Sequence, residues 1–231
     1  GEDGGGEYHS IYDSYDDYRR FKDPKFQYGV ALAQTAGRMT LRMADAESLP
    51  FDYRSLFQSV KTYAGEVMEL MSQMRENTEM ENKLLKEKQY TLAADPTETY
   101  IAPEPKAAVP YIDFAPLQNA LIHLEKSCAA AWEAESKTGL PAEKRNAFNQ
   151  ALYQAEQQLL LDKGLPRRGW YRHAIYAPGF YTGYGVKTLP GIREAIEQRN
   201  WDEASAQLKL AAEAIERFSG FLDHAADIAR Q

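Results

Sequence analysis

Few residues in this sequence combine the type and the spacing that metal binding or nucleophilic catalysis requires. The 231 residues include one cysteine, Cys128, and four histidines: His9, His123, His173 and His224. The histidines form neither an HxxxH nor an HExxH pattern, so no self-contained metal site is visible. A single cysteine excludes an intrachain disulfide, a CxxC zinc site and an iron–sulfur cluster. The sequence also lacks GxSxG, P-loop and dinucleotide-binding motifs.

Two segments concentrate residues of the kinds that line ligand sites. Residues 1–10 read GEDGGGEYHS, in which four glycines lead into Tyr8 and His9. Glycines at this density predict a tight loop; the alternative is a flexible terminal segment without fixed structure. Residues 164–191 hold six aromatic residues and six glycines. A loop of this length inside a compact domain is usually functional or packed on another surface.

The charge of the chain limits its partners. With 27 lysines and arginines against 34 acidic residues, the net charge is −7. Arg167, Arg168 and Arg172 lie among the aromatic residues of the loop, a combination that is also found in proteins that bind single-stranded nucleic acids. The negative net charge of the chain, however, argues against binding to nucleic acids and to anionic membranes. We therefore expect a packed protein interface here, without nucleic-acid or membrane contact. No run approaches the ~20 apolar residues of a membrane span, and Gly1 begins no signal peptide.

Apolar residues repeat in alternating steps of four and three along much of the chain. Such a repeat places a narrow apolar seam along a helix, which must face other helices. Four seams predict an antiparallel four-helix bundle in a mostly α protein. The seams are Leu56, Val60, Tyr63, Val67, Leu70 and Met74; Leu117, Leu121, Leu124, Cys128 and Ala131; Phe148, Leu152, Ala155 and Leu159; and Ala204, Leu208, Ala211, Ile215, Phe218, Leu222, Ala225 and Ala229.

Local signals predict where the helices begin and end. Asp23-Pro24 predicts the start of an earlier helix that Pro50 ends. The second long helix is expected to run to about Leu92, followed by a proline-rich, extended insertion near residues 93–112. Other predicted caps are Asp52, Asp113 and Asn200 at amino ends, and Gly139 and Gly164 at carboxyl ends.

Two strings in the sequence resemble a known family. One is EYHSIYDSYDDYRRFKDPKF, followed by LPFDYRS; the other is WYRHAIYAPGFYTGYGVKTLPGIREAI. Together they resemble the C-terminal third of the glutamate carboxypeptidase II and transferrin receptor superfamily, the M28 zinc peptidases. The resemblance covers nearly the whole chain. It implies that residues 1–50 are the C-terminal end of an α/β zinc-peptidase domain, a loop plus helices. Residues 51–231 would be a transferrin-receptor-like helical dimerisation domain.

The resemblance also implies roles for three residues. His9 would be a ligand of the family's two-zinc site, and the adjacent Tyr8 would line the substrate pocket. Tyr184, in the aromatic loop 164–191, would contribute to the same pocket. Glutamate-preferring members place a lysine just before that tyrosine, whereas this chain has Gly183, so the resemblance does not imply a glutamate preference. Lys187 is a candidate to compensate.

The family's remaining zinc ligands and its catalytic carboxylate have no counterpart in this chain. One histidine cannot hold a zinc centre that activates water. We therefore expect a fragment that is inactive alone and binds no zinc, while the parent enzyme binds two zinc ions. The expected partners are a second copy of the chain, the upstream peptidase domain and, in the parent, a peptide substrate. The family also implies an exported protein, periplasmic or extracellular.

Two other interpretations remain open. One is a non-catalytic, receptor-like module that uses the helices and the loop to hold a protein partner. The other is a freestanding helical protein in which His9 is incidental. A full set of upstream metal ligands would favour the peptidase over the receptor. If residues 1–22 could be removed without loss of stability, the freestanding protein would be favoured.

Overall fold

The computed structural model describes residues 7–47, 51–136 and 140–230. The chain divides into two compact units, Gly1–Pro50 and Phe51–Gln231, each described by itself. The glycine-rich residues 1–6 and the predicted cap Gly139 lie outside the described residues. The helices are α1 (Tyr15–Asp17), α2 (Gln27–Ala44), α3 (Tyr53–Lys86), α4 (Gln89–Ala93), α5 (Ala115–Glu135), α6 (Ala142–Ala155), α7 (Pro190–Glu197) and α8 (Trp201–Arg230); the strands are β1 (Tyr176–Pro178) and β2 (Val186–Thr188).

The main helix of the first unit begins later than its sequence signal predicts. The predicted start was Asp23-Pro24, but α2 begins at Gln27, after Phe26 in the left-handed region with φ 56°. The buried carboxylate of Asp23 accepts hydrogen bonds from the backbone N–H of Gly29 at 2.9 Å and from the hydroxyl of Tyr18 at 3.2 Å. Asp23 therefore caps α2 from outside the helix, because it satisfies a backbone donor of the first turn.

The second unit is built around α8. Helix α5 packs along α8, α3 packs on α5, and both α6 and α7 pack on α8. The only sheet among the described residues is the antiparallel pair β1–β2, with Ala177 opposite Lys187. The mostly helical fold expected from the sequence is confirmed. No helix in the described ranges is long and apolar enough to cross a membrane.

The predicted seams form much of the core. Every predicted seam residue of α8, from Ala204 to Ala229, is buried, and so are Phe148, Leu152, Ala155 and Leu159. In α3 the seam is shifted at three positions. Phe57, Ala64 and Met71 are buried there, whereas their neighbours Leu56, Tyr63 and Leu70 are only half-buried. The buried residues of α3 still follow steps of three and four, so the heptad repeat is kept and only the choice between adjacent apolar residues differs from the prediction.

Side chains at the predicted positions satisfy backbone donors at several helix starts, although the N-cap of α5 is Phe114, one residue after the predicted Asp113. Asp52 accepts a hydrogen bond from the backbone N–H of Arg54 at 3.0 Å, and Asp113 accepts one from Ala115 at 2.9 Å. Asn200 accepts a longer one, 3.4 Å, from the backbone N–H of Glu203. These bonds satisfy amide donors that a helix leaves unpaired at its amino end.

The extended insertion is tied to α3 by hydrogen bonds. Helix α3 ends at Lys86, earlier than the predicted Leu92, because Lys88 adopts a left-handed conformation before the short α4. Asn82 pairs with the backbone of Lys106 through both of its amide atoms, at 2.8 and 2.9 Å. Arg75 donates to the carbonyl of Pro110 at 3.1 Å. Side chains of α3 thus provide hydrogen-bond partners for backbone groups of the insertion, which are not paired within a helix or a sheet.

One histidine links the two helices at the centre of this unit. His123 of α5 lies between two carboxylates of α8, with Nδ1 2.5 Å from Glu216 and Nε2 2.9 Å from Asp223. The hydrogen bond with Glu216, and then the one with Asp223, raises the pKa of His123 above its ordinary value. Both ring nitrogens face acceptors, so the imidazolium, which carries two donors, fits this arrangement best.

We expect this link to make stability depend on pH. Because the pKa of His123 is raised on folding, its contribution is complete below the unfolded value of about 6.5 and is lost as pH rises through the folded value. Urea unfolding at several pH values should therefore show that the stability difference between wild type and His123→Gln shrinks as the pH rises above about 6.5. Parallel pH profiles for the two proteins would contradict this assignment.

Candidate functional site

The aromatic loop 164–191 is an ordered structure held by backbone hydrogen bonds. Leu161 and Leu165 donate to the carbonyls of Arg172 and Tyr171, each at 2.8 Å, which folds the first part of the loop back on itself. Gly164, at φ +67°, allows the turn, because a Cβ there would lie 2.2 Å from the carbonyl oxygen of Gly169. The loop therefore presents its side chains from a defined backbone.

A hairpin at the end of this loop carries Tyr184. Strands β1 and β2 pair from Tyr176 opposite Thr188 to Pro178 opposite Val186. The turn between them is closed by the hydrogen bond from the Gly179 N–H to the Gly185 carbonyl, at 2.9 Å. Tyr184 is 95% exposed at the tip. Its ring is thus available to a ligand or to another part of a larger protein.

A buried ion pair fastens the loop to α7. Arg168 donates to Glu194 at 2.7 Å and to the carbonyl of Pro178 at 2.8 Å. Glu194 also accepts the backbone N–H of Phe180 at 2.8 Å. Both charged side chains are almost completely buried. Removing one partner of such a pair would leave an uncompensated charge, so this contact fixes the position of the loop strongly.

The other cations of the loop also have protein partners. Arg167 makes a two-pronged contact with Glu203 at 2.8 and 2.9 Å. Arg172 donates to the Leu161 carbonyl at 2.9 Å, and Lys187 pairs with Glu197 at 2.6 Å. The arginines considered as a nucleic-acid surface thus contact the protein's own groups. Lys187, the candidate to compensate for Gly183, is directed toward α7.

Tyr8 and His9 lie together on the surface of the first unit. Their ring centroids are 3.9 Å apart, and both side chains are exposed. His9 has a left-handed backbone with φ 61°, and its N–H donates to Asp13 at 3.3 Å. Lys22 forms an ion pair with Glu7 across this segment. The imidazole is therefore presented by a folded turn.

The residues around His9 do not make a zinc centre by themselves. Across residues 7–47, 51–136 and 140–230, no group of three potential His, Cys, Asp or Glu ligands is positioned to hold a metal. A zinc ion that activates water needs three protein ligands. The roles of His9 as a metal ligand and of Tyr8 and Tyr184 as substrate contacts stay predictions, and no catalytic step is assigned to this chain.

The second unit also contains a cavity that the sequence did not reveal. Its volume is about 440 Å³. At its edge, the hydroxyl of Tyr176 donates to Glu156 at 2.6 Å, and the ring of His173 lies 4.1 Å from that of Tyr176. Phe51, Tyr53, Tyr153 and Phe218 are among the remaining wall residues. No short motif links these positions, because they come from four separate parts of the chain.

A comparison with protein-family models finds a match, which lies within the second unit. Residues 112–223 match the family model described as the transferrin receptor-like dimerisation domain. This range runs from just before α5 into α8 and includes the aromatic loop and α7.

Several curated proteins are similar to nearly the whole chain. A probable glutamate carboxypeptidase, LAMP1, from Arabidopsis thaliana is 30% identical over 220 residues, which are 92% of this chain and 27% of that protein. A probable glutamate carboxypeptidase from Arthroderma benhamiae is 27% identical over 95% of this chain and 26% of its own length. The aminopeptidase NAALADL1 from Rattus norvegicus is 24% identical over 96% of this chain and 26% of its own length. The chain thus spans about a quarter of these relatives.

Proposed function

We propose that this chain is the dimerisation module of a glutamate carboxypeptidase-like peptidase, because residues 112–223 match the family model of the transferrin receptor-like dimerisation domain. The module pairs with a second copy of itself. Its long helices α3, α5, α6 and α8 act as a four-helix bundle that presents one face to the partner. The match of this domain to the helices built on α8 is the observation that carries the proposal.

The first unit has a separate role in this proposal. Residues 1–50 represent the end of a peptidase domain, and His9 contributes one ligand to a zinc site completed by residues outside this sequence. The exposed His9 and Tyr8 support this, since both side chains are accessible on the surface. Relatives named as carboxypeptidases and as an aminopeptidase support a peptidase. An exported location, expected from the resemblance, stays a prediction.

Self-association is the first consequence to test. Sedimentation equilibrium over a concentration series should give the mass of a dimer, twice 26.2 kDa, and the dimer should persist at about micromolar concentration, in the range of specific interfaces. A monomer at every concentration would contradict self-association through this chain. A hetero-complex formed only with an added peptidase domain would instead favour docking within one protein.

We further propose that the hairpin supplies Tyr184 to the substrate pocket of the complete enzyme. Gly183 precedes this tyrosine, and open space surrounds the position where its side chain would begin. Lys187 is paired with Glu197, and the arginines of the loop contact the protein's own oxygens. The described residues of this loop therefore offer no unpaired cation to a substrate carboxylate, which favours a substrate residue without a negative side chain.

Introducing the missing charge tests this assignment. In the complete enzyme, Gly183→Lys should raise kcat/KM for substrates with a terminal glutamate relative to those with a terminal leucine by about tenfold, because charge-assisted hydrogen bonds are strong. The left-handed φ of Gly183, +58°, means a small loss of stability. The control is Val186→Lys, which adds the same charge at an exposed position of β2. If wild type and both variants show the same ratio of kcat/KM between the glutamate and leucine substrates, the hairpin has no role in the substrate pocket.

A further inference from the structure

The cavity beside Glu156 has the dimensions of a ligand site. Its volume of about 440 Å³ lies within the ~300–1,000 Å³ typical of small-molecule pockets. Leu56, Leu152 and Leu159 contribute aliphatic surface. All the lining residues that the structure describes belong to the second unit.

Aromatic rings make up most of the remaining wall. They come from Phe51, Tyr53, Tyr153, Tyr176 and Phe218. Tyr53 packs edge-on against Phe218 at 5.9 Å between ring centroids. Burial, and then the nearby carboxylates of Glu135 and Glu156, raise the pKa of Tyr53 to about 12, so its ring stays neutral. The faces of neutral aromatic rings carry negative electrostatic potential and attract cations.

The carboxylate at the cavity edge has no matching cation. Asp52, which also lines the cavity, is neutralised by Arg54 through two contacts of 2.9 Å. Within the described ranges, no lysine or arginine lies within ion-pair distance of Glu156. Its nearest basic group is Nε2 of His173, at 3.5 Å. Glu156 instead accepts a hydrogen bond from the Tyr176 hydroxyl.

His173 does not supply the missing positive charge. Its Nδ1 accepts the backbone N–H groups of Ile175 and Tyr176 at 3.2 and 3.4 Å, which requires that nitrogen to be unprotonated. Burial lowers the pKa of His173, and the Glu156 charge opposes this effect only in part. At neutral pH the imidazole is therefore neutral, and the carboxylate of Glu156, whose side chain is 68% exposed to solvent at the cavity edge, is open to a cationic ligand.

We propose that this cavity binds an organic cation, an alkylguanidinium or alkylammonium group, between its aromatic walls and the carboxylate of Glu156. The alkyl part of the ligand contacts the leucines, and the cationic head faces the tyrosine rings and Glu156. Two sources carry this chemistry: an arginine or lysine side chain of a polypeptide, and a free small amine. Its walls include four residues of the helix seams, Leu56, Leu152, Leu159 and Phe218, and Tyr176 of strand β1.

The test is an NMR titration of the full chain with matched probes. Nα-acetyl-argininamide and its neutral isostere Nα-acetyl-citrullinamide are added to ¹⁵N-labelled protein. The arginine probe should shift the amide signals of Tyr153, His173 and Tyr176 with a dissociation constant on the order of 1 mM. The isostere should bind at least about tenfold more weakly, because it lacks the charge that the rings and Glu156 recognise.

Two variants make the result specific to this cavity. Glu156→Gln should weaken binding of the arginine probe at least about fivefold, and Tyr153→Leu should weaken it similarly by removing an aromatic face. The control Glu125→Gln removes the same charge from an exposed position of α5 outside the cavity and should change nothing. Equal binding of both probes, unchanged binding in Glu156→Gln, or no binding of any cation at millimolar concentration would each overturn the proposal.

Butylguanidine distinguishes the two sources of the cation. If it binds as tightly as the arginine probe, the cavity recognises small organic cations. If only the arginine probe binds, the site requires peptide groups and receives a side chain from a polypeptide. Both results support a cation site and differ only in its natural occupant.

Discussion

The packing of α8 against α5 holds the second unit together. Leu117, Leu124 and Cys128 of α5 are completely or almost completely buried, as are Leu208, Ile215 and Leu222 of α8, along the contact between these helices. Each large side chain buried in this way contributes about 1.5–3 kcal/mol. Small residues on α8, among them Ala204, Ala211 and Ala225, allow close approach of neighbouring helices. Helices α3, α6 and α7 pack on this pair of helices and take their positions from it.

The aromatic loop 164–191 is connected to α8 through α7. Helix α7 packs on α8, and the buried pair of Arg168 and Glu194 joins the loop to α7 at 2.7 Å. A buried ion pair adds little net stability compared with apolar packing, but it tolerates very few alternative arrangements. The role of this ion pair is therefore to fix the position of the loop. It holds the hairpin with Tyr184 in a fixed place relative to α7 and α8.

The sequence predicted the features that depend on regular repeats and on short motifs. The α8 seam was found because its heptads are regular, and the caps Asp52 and Asn200 were found because a cap acts locally. The resemblance to the glutamate carboxypeptidase II and transferrin receptor superfamily is confirmed by the domain matched over residues 112–223 and by the peptidase relatives. Its assignments of His9, Tyr8 and Tyr184 stay predictions.

Other features were missed because they depend on tertiary contacts. Three positions of the α3 seam were predicted one residue too early, because each lies beside a second apolar residue and tertiary packing decides which of the two is buried. Arg168 and Arg167 are adjacent in sequence, yet only Arg168 is buried, because Glu194 meets it from 26 residues further along the chain. The cavity beside Glu156 combines residues from α3, α6, the loop and α8. Local patterns carry no information about which distant residues meet.

Hydrogen–deuterium exchange at two concentrations tests the central claim most directly, since it locates a self-association surface as well as detecting it. The full chain is labelled at high concentration and after dilution below the dissociation constant of the dimer. The account predicts that peptides within residues 112–223 lose protection on dilution, because the matched dimerisation domain lies there. Protection that is independent of concentration, or changes confined to residues 7–47, would contradict it.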